Sequence, residues 1–103
     1  MELKPGSRWK SSVCNAEVVV VRPPKGSDLN LECGGVAMTP LAGEKPAGAT
    51  LNPAFAEGVQ SGKRYFDEDT GLEVLGSKAG DGSLSLNGRP LQRREAKALP
   101  ASD

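Results

Sequence analysis

The sequence predicts an all-β protein of short strands, and three observations carry that prediction. Thirteen Gly and eight Pro among 103 residues punctuate the backbone too often for long helices and favour short strands and turns. Glu17-Val18-Val19-Val20-Val21-Arg22 holds four consecutive β-branched residues, stiff at χ1 and suited to a pleated surface. Ser83-Leu84-Ser85-Leu86 alternates at period two and runs into Asn87-Gly88, the strongest tight-turn signal in the chain. At this length there is room for one small domain or two very small subdomains, with a modest margin of stability.

In chain order, Met1 to Gly6 reads as an extended lead-in, because Pro5 blocks a helix and Gly6-Ser7 invites a turn. A first strand starts at Arg8. Glu17 to Arg22 reads as a buried central strand, apolar on both faces. Pro23-Pro24-Lys25-Gly26-Ser27-Asp28 cannot continue a ladder and supplies a reversal. Leu29-Asn30-Leu31-Glu32 then alternates like a half-buried returning strand, which would close a hairpin.

From Leu41 to Gly62 the composition shifts to Ala, Gly and Pro and reads as a linker. Within it, Asn52 at an N-cap position, Pro53 at the first helical position and Gly58 beyond predict one or two helical turns with Phe55 packing down. Lys63 to Phe66 and Leu72 to Leu75 read as strands around the acidic turn Asp67-Glu68-Asp69-Thr70-Gly71, expected to be solvated. Arg93 to Asp103 reads as a mobile tail.

Thirteen basic residues balance thirteen acidic ones, so no global field concentrates nucleic acid or an anionic membrane. With four aromatics, Trp9, Phe55, Tyr65 and Phe66, no stacking platform for bases is visible. Neither nucleic acid nor a membrane is therefore an expected partner. No apolar run approaches a membrane span, and the N-terminus lacks the basic start and apolar run of a secretory signal. A cytoplasmic protein is the expectation. The absence of His removes the commonest general base, and the expectation is a non-enzyme.

Shifting the sequence by 56 residues lays Gly6-Ser7-Arg8-Trp9 on Gly62-Lys63-Arg64-Tyr65 and Glu17-Val18-Val19 on Glu73-Val74-Leu75. After a three-residue deletion, Gly35-Val36-Ala37-Met38 meets Gly88-Arg89-Pro90-Leu91. Two hairpins with Gly turns can match by chance. The recurrence in order of an aromatic, a Glu-Val pair, a Gly turn and a Gly-x-x-apolar ending favours an internal repeat. Small β units that each bury one face become stable when packed together.

Trp9 through Cys14, the valine-rich strand, and Cys33-Gly34-Gly35-Val36-Ala37-Met38 resemble the desulforedoxin family of small, rubredoxin-like iron proteins. That family's pattern is an aromatic, Cys-x-x-Cys-Gly, a valine-rich strand, then Cys-Cys-Gly-x-x-Met. On it, Ser11 falls at the first metal ligand, Cys14 at the second, Cys33 at the third and Gly34 at the fourth. In the second copy Asp67, Thr70, Leu86 and Asn87 replace all four. The family is homodimeric, so the resemblance implies two desulforedoxin-like units fused as a pseudo-dimer. The expected boundaries are 1–41 for the unit carrying Cys14 and Cys33, 42–61 for the linker, 62–92 for a ligand-free unit and 93–103 for the tail. It also implies Fe or Zn as the cofactor, with Cys14, Cys33 and Ser11 as the remaining candidate ligands.

Read as chemistry, two cysteines leave three alternatives. They are inert packed residues, a disulfide that would stabilise the chain by roughly 3 kcal/mol on the loop-entropy model, or metal ligands completed by water, Ser11 or a second chain. A reducing compartment disfavours the disulfide. The expected function is a small metal-binding or redox protein with a reduced two-cysteine site, and the alternative is a metal-free accessory subunit. A protein partner and a second copy of the chain both stay open.

Overall fold

The computed structural model describes residues 1–26 and 28–94, and they form two antiparallel sheets. The strands are β1 (Arg8–Lys10), β2 (Glu17–Arg22), β3 (Leu31–Cys33), β4 (Val36–Ala37), β5 (Thr39–Pro40), β6 (Arg64–Phe66), β7 (Glu73–Lys78), β8 (Leu84–Leu86), β9 (Arg89–Pro90) and β10 (Gln92–Arg94). One 3-10 turn, η1 (Pro53–Phe55), is the only helical element among the described residues. The larger sheet runs β10-β6-β7-β2-β1-β5 and the smaller β4-β3-β8-β9.

The valine strand takes the centre of the larger sheet. β2 pairs with β1 on one side, Trp9 opposite Val18, and with β7 on the other, Val20 opposite Val74. Its burial alternates, with Val18 and Val20 buried and Val21 42 % exposed, so the expected apolar packing on both faces gives way to a one-sided strand. That is the usual state of an antiparallel sheet with one face in water.

The returning strand is the main departure from the sequence reading. β3 forms no ladder with β2; it pairs with β4 and, across the chain, with β8, Leu31 opposite Leu86 and Cys33 opposite Leu84. Period two identifies a half-buried strand but not its partner. The smaller sheet thus joins residues more than fifty positions apart, and its side chains meet those of the larger sheet in one core. Trp9, Val18, Val20, Leu31, Cys33, Tyr65, Leu72, Val74, Leu84 and Leu86 belong to a single buried cluster.

Renumbering β1 to β5 as β6 to β10, and the reverse, leaves both strand orders unchanged when read from the opposite end. Backbone bonds follow the same offset. Gly6 N–H donates to Val20 O at 2.7 Å and Gly62 N–H to Gly76 O at 2.8 Å; Gly34 N–H donates to Ser83 O at 2.9 Å and Asn87 N–H to Asn30 O at 3.0 Å.

The linker is more structured than its composition predicts. The N-cap expectation is met, as the Asn52 side chain accepts from Ala54 N–H at 2.9 Å, though only one 3-10 turn follows. Val59 is buried and bridges Gly80. The predicted tail begins inside a strand, because Gln92 to Arg94 pair with β6; positions 95–103 lie outside the described residues. No helix among the described residues is long and apolar enough to cross a membrane.

Candidate functional site

Cys14, Cys33 and Ser11, the three residues singled out as candidate ligands, lie together. Ser11 starts a turn after β1: its N–H donates to Ala16 O at 2.8 Å, and its side-chain oxygen accepts from the N–H groups of Val13 and Cys14, both at 3.1 Å. A short hydroxyl residue stabilises such turns by satisfying backbone donors locally. The turn delivers Cys14 toward Cys33, at the end of β3, with the two sulfurs 3.8 Å apart.

The roof over the pair comes from the other half of the chain. Gly82 N–H points at the Cys14 sulfur at 3.4 Å. A Cβ on Gly82 would lie 3.0 Å from the Cys33 sulfur and 2.8 Å from Gly34 N, so only glycine lets this loop close down. Gly80 is equally constrained, since a Cβ there would collide with Ala16. Cys33 is fully buried while Cys14 remains partly exposed, beside an open cleft of about 510 Å³ lined by Val13, Asn15, Ala79, Gly80 and Asp81.

This difference in exposure separates the two thiols chemically. Burial would raise the Cys14 thiol, but hydrogen bonds from Ser11, the Ala16 and Gly82 N–H groups and Cys33 outweigh it and hold its pKa below the ordinary value. Burial pushes Cys33 up to about 12, against the opposing pull of Ser11 and with repulsion from a Cys14 thiolate adding to it. Donors around the charged form lower a thiol's pKa and desolvation raises it.

A tetrahedral Fe or Zn site needs four donors, and the residues here do not fit one. Among the described residues no group of three or more His, Cys, Asp or Glu side chains converges. The space where a fourth ligand would project from residue 34 is filled: a Cβ on Gly34, whose φ is +67°, would overlap Leu51 and lie 2.7 Å from Val13. Ser11 already serves two backbone amides. A second chain could not complete the set through Cys33, which is 0 % exposed.

The turn that opens at Asp67 makes a backbone bond like that of the Ser11 turn, Asp67 N–H donating to Leu72 O at 2.9 Å, but has different chemistry. Asp67 accepts from Thr70 N–H at 3.2 Å and from the Thr70 hydroxyl at 2.7 Å. Arg89 grips the same carboxylate with Nε to Oδ1 and Nη2 to Oδ2, both at 2.8 Å. The expected solvated acidic turn is therefore corrected at its first residue. Asp67 is only 5 % exposed, and the Arg89 and Thr70 hydrogen bonds overcome burial to bring its pKa down to about 2. A bidentate guanidinium is the strong form of such a pair.

Sequence reasoning missed Gly80, Gly82, Leu51 and Arg89. The Gly-x-Gly spacing of 80 and 82 was the one available signal of close backbone approach; nothing local marks Leu51 or Arg89. Comparison with known proteins adds no relative: no family model, no curated protein and no solved structure matches this chain.

Proposed function

We propose that this chain is a small dithiol–disulfide redox protein, in which Cys14 and Cys33 cycle on a duplicated desulforedoxin-like scaffold that has exchanged its metal for thiol chemistry. One observation carries the reading: two sulfurs 3.8 Å apart, one partly exposed and one buried, with no third His, Cys, Asp or Glu side chain converging on them among the described residues. Closing the bond, whose length is about 2.05 Å, needs an approach of under about 2 Å, within reach of side-chain rotation and a small backbone shift. The reaction is exchange with an external disulfide: two protein thiols become one disulfide, and the external disulfide becomes two thiols.

The ancestry half of this reading is supported by the mirrored strand orders and the paired backbone bonds. A fused homodimer would produce such a pattern, with an offset of 56 through the first strand pair and 53 after the turn. The family's metal has no place in the mechanism. Ser11 and Gly82 stabilise the Cys14 thiolate, while the covering loop shields Cys33 from solvent.

Equilibration in dithiothreitol buffers of graded potential, with thiols counted after acid quenching and unfolding, tests the reading. Reversible loss of two thiols in one step is expected. Two thiols that stay free at the most oxidising poise would overturn it, as would near-stoichiometric Fe or Zn in protein purified without oxygen or chelators.

A second reading, a metal-free accessory subunit, draws on the Asp67–Arg89 pair, which gives the second turn a stable structure without ligands. Co-purification of a stoichiometric partner that also binds a Cys14→Ala/Cys33→Ala variant would favour it.

A further inference from the structure

We propose that the cleft beside Cys14 accepts a small disulfide whose halves each carry an ammonium and a carboxylate group, and that Cys14 attacks it first and Cys33 resolves the product. This rests on the dithiol reading and adds to it a substrate class and an order of attack.

Access decides the order. Cys33 is 0 % exposed and covered by Gly82, so an external disulfide cannot reach it. Cys14 opens on the cleft of about 510 Å³, a size within the roughly 300–1,000 Å³ of small-molecule sites. In the first step the Cys14 sulfur bonds to one substrate sulfur, the substrate S–S bond breaks, and the departing half leaves as a thiol carrying the proton Cys14 gave up. In the second, the Cys33 sulfur displaces the bound half from Cys14. The Cys14–Cys33 bond forms and the second half leaves as a thiol with the Cys33 proton. One disulfide is reduced and one formed.

Charge decides the substrate. Asp81 is exposed and, among the described residues, is the only charged side chain lining the cleft. Lys45, also exposed, donates from Nζ to the backbone carbonyl of Cys14 at 2.9 Å. An anion in the lining of the cleft and a cation on the Cys14 carbonyl thus both stand next to the reactive residue. A dianionic disulfide meets Asp81 and a dicationic one meets Lys45, in each case like charge against like. A zwitterionic half satisfies both.

The test uses the full reduced chain and three probes: cystine, cystamine and dithiodiglycolate. Each rate of Cys14 modification is divided by that probe's rate with free 2-mercaptoethanol, which removes leaving-group differences. The normalised rate for cystine should exceed the other two by about fivefold, the scale that two exposed charge pairings supply. Asp81→Asn should raise the relative rate of dithiodiglycolate, and Lys45→Gln that of cystamine. Cys33→Ser should accumulate the mixed disulfide on Cys14, whereas Cys14→Ser should leave Cys33 unmodified.

Equal normalised rates, indifference to both charge changes, or modification of Cys33 in Cys14→Ser would overturn the inference. The dithiothreitol titration separates the two failures. If the internal disulfide closes there without any charge preference, only this inference falls; if it does not close, the dithiol reading falls with it.

Discussion

The turn at Ser11–Cys14 and the turn at Asp67–Thr70 share a backbone and differ in everything they can do. In both, the first residue donates its N–H five positions ahead, Ser11 to Ala16 O at 2.8 Å and Asp67 to Leu72 O at 2.9 Å. In both, its side chain accepts from the amide three positions on, at 3.1 and 3.2 Å. Beyond that the first turn is neutral, sulfur-bearing and roofed by glycine, whereas the second is an ion pair closed by Arg89. Backbone bonds preserve the turn, and the side chains that neighbouring loops bring decide its chemistry.

The largest costs fall on the glycines packed around the first turn. Gly80→Ala should cost about 3 kcal/mol or more, because the new Cβ meets the backbone of Ala16 and over-packing against main chain has no rotamer escape. Gly34→Ala should cost somewhat less, about 2–3 kcal/mol, from its positive φ and its overlap with Leu51 and Val13. Gly88→Ala, in the β8–β9 turn, shares the positive φ but has no atom within 4 Å, so about 1 kcal/mol is expected. Denaturant unfolding of the three variants checks the ranking, and equal costs at 34 and 88 would remove the claimed asymmetry.

The next effect sharpens the difference in chemistry. Oxidation of Cys14 and Cys33 should raise stability by roughly 3 kcal/mol on the loop-entropy model, seen as a shift of the unfolding midpoint that dithiothreitol reverses. The second turn, lacking thiols, should respond to acid instead. The Asp67 pKa is lowered from 3.8 to about 2 in the folded chain, so its contribution is present above about pH 4 and is lost as pH falls toward 2. Asp67→Asn should cost about 1–2 kcal/mol at neutral pH, with the difference from the parent shrinking across that acid window.

The smallest effect concerns rate. Iodoacetamide should alkylate Cys14 with a midpoint below that of an ordinary thiol, following its lowered pKa, and should spare Cys33 until the chain unfolds. Ser11→Ala should move that midpoint upward, since Ser11 is the strongest of the groups lowering it. An unchanged midpoint would mean that Ser11 only shapes the turn.

Most strands could be found from local pattern. Val18 to Val21 declared β2 through their branching, and Asn87-Gly88 declared the β8–β9 turn, where both residues take positive φ, 50° and 81°. Of the site, Cys14, Cys33 and Ser11 were legible because thiols and a hydroxyl at those spacings are a chemical signal in themselves. Leu51 carried no signal, because a leucine in a Gly/Pro-rich stretch looks like any linker residue until something is found beneath it. Asp67 looked solvated for the same reason, as an acidic turn gives no sign that an arginine 22 positions away will cover it.

Local sequence settles where the chain extends and where it turns, since β-branching, period-two alternation and positive-φ residues act over a few positions. That β3 pairs with β8 and not with β2, that Gly82 covers Cys33, and that Arg89 neutralises Asp67 are properties of the assembled fold. Those choices depend on which surfaces meet after the chain has folded back on itself. That pairing, and not the identity of the cysteines, makes Cys14 the accessible thiol and Cys33 the protected one.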